Sequence, residues 1–277
     1  ALEEKVFPSY KSLYSFFAEK YLPLCRDNIA CSGFPKGDDY YQYLIRHYTT
    51  TNMGPQEIHN IGVSEVKRIK GEMQRVIKRT NFDGDFDAFL EFLRTDSSFY
   101  YQTEDELLDA YRSICKKADA ELPKFFGKLP RLTYGVKKIP NYQASASPTA
   151  YYYPGNNKAG RPGYFMANTY KLNTRPKYEM EALSVHEAVP GHHLQIALAQ
   201  ELDDIPMFRR YLGYTAFVEG WGLYCENFTE LHTDKEMAWK YIYELQRAIR
   251  LVIDTGIHAF NWSYERCFEY MQKYTIS

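Results

Sequence analysis

The residues best suited to chemistry in this sequence lie in one short segment, 186–193, which reads His-Glu-Ala-Val-Pro-Gly-His-His. Zinc peptidases carry a related pattern, His-Glu-x-x-His, which places two imidazoles on one helix face beside a carboxylate that activates water. Here Pro190 stands where the second histidine is expected, and the next histidines follow six and seven residues after His186. The segment therefore resembles a zinc-binding helix with altered spacing.

This altered spacing predicts a break in the helix. On a straight helix, His192 and His193 would lie about 9 and 10.5 Å along the axis from His186. Two nitrogens that bind one zinc at roughly 2.1 Å each cannot be much more than about 4 Å apart. Pro190 removes a backbone donor and clashes with the preceding turn, and Gly191 accepts unusual dihedral angles. We therefore predict a kink or bulge at this dipeptide that brings His192 to the metal, with His193 as the alternative ligand.

A third metal ligand is predicted at Glu219, which lies in the mostly apolar segment 217–224, Phe-Val-Glu-Gly-Trp-Gly-Leu-Tyr. A charge in such a segment is costly unless it is paired or bound to a metal. His186, His192 and Glu219 would then hold one Zn²⁺ per chain, with Glu187 as the general base. Spacing alone leaves alternatives open, because Glu219 could form a helix cap or a salt bridge and the histidines could lie on an exposed helix face.

The paired segments 186–195 and 217–224 resemble the domain-of-unknown-function family 885. The resemblance extends to 46–51, 54–59 and 250–258. This family is similar to a branch of the thermolysin-like (gluzincin) zinc metallopeptidases, in which one helix supplies His, Glu and His and a later helix supplies Glu. The resemblance implies a zinc metallopeptidase that hydrolyses peptide bonds, and it implies a further helix after residue 277. A zinc hydrolase of a non-peptide amide and an inactive binding protein of the same fold are the alternatives.

A polar stripe on the helix predicted over 237–258 offers further candidates for the active site. Its members share one helix face at spacings of three, four and four residues: Arg247, Arg250, Asp254 and His258. We predict that Arg250 binds a substrate carboxylate, which favours carboxypeptidase-like action. His258 or Tyr264 would stabilise the oxyanion, and Asp254 would orient a histidine. A solvated salt-bridge face is the ordinary alternative for this stripe.

The secondary structure predicted from the sequence is mainly α with a small β-sheet (α+β), and the resemblance implies a thermolysin-like core. Helical spacing and a capping box predict helices in the first part over 10–24, 55–78, 86–93 and 103–122. We expect residues 1–125 to form a helical lobe that makes one wall of a cleft. Residues 126–277 would form the catalytic region, with helices over 178–189, 192–202 and 208–229.

Two strands are predicted in the middle of the chain, over 131–140 and 163–172. A long loop rich in Ser, Pro, Gly, Asn and Tyr, 144–163, would separate them. By resemblance to thermolysin-like enzymes, 163–169 is the candidate edge strand that pairs with an extended substrate. Asn168 in this strand, together with His193, is a candidate for substrate contact or support of the metal ligands. A strand without substrate contact is the alternative.

Composition restricts the partners of this chain of 277 residues. Its net charge of −1 does not favour nucleic acid or an anionic membrane surface, and a peptide or small amide is the expected substrate. No apolar run is long enough to suggest a transmembrane helix. Cys25 and Cys31 flank a short loop and are predicted to form a disulfide. The predicted disulfide and the glycosylation-type sequences at Asn227 and Asn261 favour a secreted location over the cytoplasmic alternative. The start at Ala1 suggests a processed or trimmed chain.

Overall fold

The structure, a computed structural model, describes residues 1–80, 82–231 and 234–275, without the side chains of 229–240. Helices dominate it, and three short strands form a single sheet. The helices are α1 (Phe7–Phe16), α2 (Gly37–Thr49), α3 (Pro55–Arg79), α4 (Phe86–Thr95), α5 (Glu104–Phe125), α6 (Asn141–Ala144), α7 (Met180–Glu187), α8 (His192–Gln200), α9 (Met207–Tyr211), α10 (Thr215–Cys225), α11 (Asp234–Phe260) and α12 (Tyr264–Gln272). The strands are β1 (Tyr134–Lys138), β2 (Ala150–Tyr153) and β3 (Gly163–Ala167). The predicted α+β class is confirmed.

The two longest helices, α3 and α11, pack along each other and form the largest hydrophobic core. Ile69 and Met73 of α3 meet Leu245 and Ile249 of α11, and α4 adds its buried face to the same cluster. Gly62 permits this close packing, since a Cβ there would lie 2.8 Å from Val252 Cγ2. The core therefore contains residues from both sides of the domain boundary predicted at residue 125, and that boundary stays a prediction.

The sheet has the order β1-β3-β2, with β1 parallel and β2 antiparallel to β3. The prediction that 163–169 forms an edge strand is wrong, because β3 lies at the centre of the sheet. The edges of the sheet belong to β1 and β2, and β2 falls inside the predicted loop. Its short run Ala-Tyr-Tyr-Tyr consists mostly of β-favouring residues. A Ser-Pro-Thr segment and Pro154 flank this run, and these turn signals led to the prediction of a loop.

The sheet is held against the helices that carry the candidate site. Phe165 of β3 is fully buried against Tyr111 of α5, with ring centroids 4.8 Å apart. Leu107 of α5 and Leu183 of α7 belong to the same hydrophobic cluster. Alternation of buried and half-buried residues along β3 matches a strand with one face toward this core. The cluster fixes α7 beside β2.

The helix predicted over 208–229 is interrupted. It consists of α9 and α10, separated by Leu212–Tyr214, and a 3₁₀ segment, Glu226–Leu231, follows α10. In the described part of the chain, no helix is both long and apolar enough to cross a membrane.

The predicted disulfide between Cys25 and Cys31 is wrong. Both thiols are free, Cys25 exposed and Cys31 buried. Cys31 packs with Tyr41 and Ile45 of α2 in a small hydrophobic cluster, so its side chain faces inward, away from an exposed partner. This result removes the main sequence-based support for a secreted location.

Candidate metal centre

The segment between α7 and α8 breaks the helix at the predicted place. α7 ends at Glu187, the Val189–Pro190 peptide bond is cis, and α8 begins at His192. Trp221 Nε1 of α10 donates a hydrogen bond to Pro190 O at 2.8 Å. Only glycine fits at 191, because a Cβ there would lie 1.8 Å from His186 O. The predicted break is confirmed, and its backbone is anchored by the neighbouring helix.

The break brings three predicted ligands together. One ligand atom from each of His186, His192 and Glu219 lies within 4.8 Å of the others. Glu219 Oε2 is 3.5 Å from His186 Nε2, and Glu219 Oε1 is 3.6 Å from His192 Nε2. Tetrahedral ligands at about 2.1 Å from a zinc ion lie roughly 3.4 Å from one another, so these distances suit a shared metal. The group could hold a metal ion.

Solvent reaches this group from one side. His186 and His192 are buried, whereas the Glu219 side chain is 57% exposed. A catalytic metal site keeps an open coordination position, and a structural site is usually closed. The exposed carboxylate therefore agrees with an open site.

A buried carboxylate and a guanidinium support His186 from behind. Glu226 Oε1 lies 2.8 Å from His186 Nδ1 and 2.7 Å from Arg247 Nη2. Arg247 Nη2 is itself 3.3 Å from His186 Nδ1. When Nδ1 donates its proton to Glu226, the lone pair of Nε2 is left for a metal, as in many carboxylate–histidine–metal arrangements.

The sequence reasoning missed this support. Glu226 follows Glu219 by seven residues, the spacing that returns to nearly the same helix face. Arg247 belongs to the predicted polar stripe, but that pattern assigns it no function. A search for a second acidic residue two turns after Glu219 would have found Glu226.

Glu187 lies at the end of α7 beside β2. Its Oε2 accepts a hydrogen bond from the Tyr152 backbone N–H at 2.8 Å. Burial raises the pKa of Glu187 to about 7, and the nearby His186 opposes this rise. A half-buried carboxyl group with a pKa near neutrality is suited to accept a proton from water.

The two histidines of the trio titrate differently. Burial lowers the pKa of His186, but hydrogen bonds to Glu219 and Glu226 outweigh it and raise that pKa to about 9. The pKa of His192 is lowered, first by burial and then by the positive charge of His186. A metal ion must therefore displace a proton from His186, so its affinity should fall as the pH falls.

His193 points away from the trio. Its Nδ1 lies 2.8 Å from the Tyr152 hydroxyl, and its ring packs 4.6 Å from that of Tyr134. Burial lowers the pKa of His193 to about 4, which keeps the ring neutral. The geometry thus favours His192 over His193 as a ligand.

The other predicted site residues on α11 make contacts elsewhere. Asp254 Oδ1 accepts a hydrogen bond from the Tyr41 hydroxyl at 2.6 Å, and His258 Nδ1 accepts one from Cys31 N at 3.1 Å. His258 follows Arg247 by eleven residues, about 16 Å along the helix. Arg250 and Asp254 line a cleft of about 430 Å³ on α11. Their roles toward a substrate stay predictions.

The two remaining candidates, Tyr264 and Asn168, also lie outside the trio. Tyr264 is exposed on α12 and stacks on Phe268. The buried Asn168 amide donates to the carbonyl oxygens of Ala144, Ser147 and Pro148. These bonds fix the chain before β2, and a contact of Asn168 with substrate stays a prediction.

Comparison with known families and structures identifies relatives of this fold. The family described as "Bacterial protein of unknown function (DUF885)" matches residues 1–277. The chain belongs to this family. A crystal structure described as the "putative lipoprotein from Colwellia psychrerythraea" is similar to this DUF885 chain, with a TM-score of 0.93 and 30% sequence identity over 100% of it. The match covers 49% of that structure's chain, so this chain spans about half of its length. No protein of curated function matches.

The family resemblance predicted from the paired motifs is confirmed by this match. The further link to thermolysin-like peptidases stays a prediction.

Proposed function

We propose that this DUF885 protein is a zinc-dependent metallopeptidase. The convergence of His186, His192 and Glu219 carries the proposal, because two imidazoles and one carboxylate are a ligand set of catalytic zinc. The adjacent Glu187 adds the proton acceptor that hydrolysis requires. The kinship to thermolysin-like enzymes rests on the same order of residues, with His, Glu and His around one helix and Glu on a later helix.

Each side chain of the candidate site has a separate role in the proposed hydrolysis. Zinc held by the trio would supply a water of lowered pKa and polarise the scissile carbonyl. Glu187 takes the proton of the attacking water and transfers it to the leaving amine. Glu226 keeps His186 in one orientation by accepting the Nδ1 proton, and Arg247 holds Glu226 in place through an ion pair.

The position of β2 favours a peptide as the substrate. β2 is an edge strand, and the Tyr152 N–H points away from β3, because it donates to Glu187. An extended peptide that pairs with the remaining backbone groups of this edge would run past Glu187. Carboxypeptidase-like action, with Arg250 holding a terminal carboxylate, is the narrower form of the proposal.

An extracytoplasmic location accompanies this proposal. Its support is the description of the structural relative as a lipoprotein, since the predicted disulfide is absent.

Metal analysis and a matched variant test the proposed chemistry. The purified protein should contain about one zinc per chain and cleave members of a peptide library, with no activity on small amides. Glu187→Gln should keep the zinc and lower turnover by roughly 10²–10⁴-fold, because only the proton carrier is lost. Unchanged turnover in the zinc-loaded variant would refute the role of Glu187, and wild-type protein without bound metal would refute the proposal.

A further inference from the structure

The first residues of the described chain form a helical segment with an unusual surface. Leu2–Val6 is a π-helical turn, α1 follows it, and further turns continue to Leu24. Against the part of the chain that the structure describes, none of the residues 2–24 is buried. We call residues 2–24 the N-terminal helix.

Seven large apolar side chains of this helix recur at helical spacing and lie on one face. The rest of the helix is largely polar or small, apart from the exposed Leu2, Phe7, Phe16 and Leu22. All seven are exposed, from 38% for Val6 to 86% for Leu24. The members of this apolar stripe are Val6, Tyr10, Leu13, Tyr14, Phe17, Tyr21 and Leu24.

Such a stripe requires a partner for physical reasons. Most of a helix's stability in a protein comes from packing of its amphipathic face, since isolated helices of this length are marginal in water. A contiguous exposed apolar surface also favours association. The apolar face of the N-terminal helix is therefore expected to pack against another surface.

The charges of the helix favour polypeptide over a membrane surface. Residues 2–24 contain three glutamates and three lysines, so the polar face carries no net charge. Helices that lie on membranes are typically rich in Lys and Arg on the polar face. The partner is thus expected to present an apolar protein surface.

We propose that the apolar stripe is the docking surface for a further segment of the same polypeptide. The solved relative has about twice the length of this chain, and its matched half reproduces this fold at a TM-score of 0.93. A second half of comparable size supplies enough protein to cover a helix of more than twenty residues. The proposal is independent of the metallopeptidase chemistry.

Photo-crosslinking in the full-length polypeptide tests this docking. A benzophenone amino acid replaces Tyr14, which is 74% exposed on the stripe, and a matched control replaces Ser12 on the polar face. Isotope-labelled and unlabelled copies are mixed before irradiation. Mass spectrometry then distinguishes crosslinks within one chain from crosslinks between two copies.

We expect the probe at Tyr14 to crosslink within its own chain to residues outside 1–277, at a yield at least about tenfold above that of the Ser12 control. Crosslinks that join differently labelled copies would show that a second copy covers the stripe and would overturn the proposal. Absence of crosslinks, together with hydroxyl-radical oxidation of Tyr14 as rapid as that of the highly exposed Tyr142, would overturn it as well.

Two further measurements complete the test. Leu13→Glu in the full-length polypeptide should increase proteolysis within residues 1–24 by about tenfold, and Ser12→Glu should leave it unchanged. Sedimentation with phosphatidylglycerol vesicles distinguishes a membrane surface, because binding that Leu13→Glu abolishes would assign the stripe to lipid and refute the proposal.

Discussion

His186 is the residue at which most interactions of the candidate site meet. Its Nε2 faces Glu219, and its Nδ1 faces Glu226 and Arg247. Nε2 therefore lies on the side of the proposed metal, and Nδ1 lies on the side of the groups that orient the ring. This arrangement fixes the ring before a metal binds, which lowers the cost of ordering the site.

The two neighbouring histidines at the start of α8 should have separable roles. His192→Ala should remove most of the bound zinc, because His192 Nε2 belongs to the converging trio. His193→Ala should retain the zinc but reduce stability by about 1–3 kcal/mol, since the buried Tyr152 hydroxyl loses its partner. Zinc content by mass spectrometry and urea unfolding measure the two effects. The reverse pattern would assign the ligand to His193.

At the scale of elements, the close approach of α10 to α7 determines the site. Gly222 of α10 faces the His186 ring, and a Cβ at 222 would lie 2.5 Å from His186 Cε1 and 2.7 Å from Nε2. No side chain fits between the two helices there. Glycine at this position therefore places Glu219 within reach of the histidines.

Gly222→Ala should displace the His186 ring and weaken zinc binding by about 10–100-fold, the effect typical of disturbed support around a metal. Gly220→Ala is the matched control, because a Cβ at 220 meets no atom within 4 Å. That control should keep its zinc affinity and gain up to about 1 kcal/mol of helix stability. Competition titrations with a chelator compare the two, and equal affinities would contradict the packing described here.

At the scale of the whole molecule, the half-buried Glu179 makes the stability of the fold depend on pH. Glu179 precedes α7 and accepts a hydrogen bond from the Tyr243 hydroxyl of α11 at 3.4 Å. Burial raises the pKa of Glu179 to about 7, and the hydrogen bond and nearby Arg175 only partly oppose it. The folded state therefore prefers the protonated carboxyl group.

This preference has a defined sign. Between about pH 4.5 and 7 the folded protein binds more protons at Glu179 than the unfolded chain, so the free energy of unfolding falls as the pH rises. Glu179→Gln should remove this fall and stabilise the protein above pH 7, by an amount on the order of 3 kcal/mol. Urea unfolding of both metal-free proteins at pH 5 and pH 8 measures the difference. An unchanged difference between the two pH values would exclude Glu179 as its source.

The features that the sequence determined are local ones. The break in the metal-binding helix follows from Pro190 and Gly191, because these residues restrict the backbone wherever they occur. The trio of possible ligands follows from the types and order of its residues, because two histidines beside the break and a glutamate in a later segment match a ligand set of zinc. Long helices such as α3 and α5 follow from apolar spacing and the Thr103–Glu106 capping box, which the structure confirms.

The tertiary structure decided what depends on distant parts of the chain. Glu226 and Arg247 became partners of His186 only because α7, α11 and the end of α10 converge, and no local pattern encodes those distances. β2 occupies the sheet edge beside Glu187 because β3 pairs on both sides, a choice set by packing against α5 and α7. The side chain of Cys31 points into the core and not toward Cys25, because it packs against α2. The short sequence separation of the two cysteines does not change this.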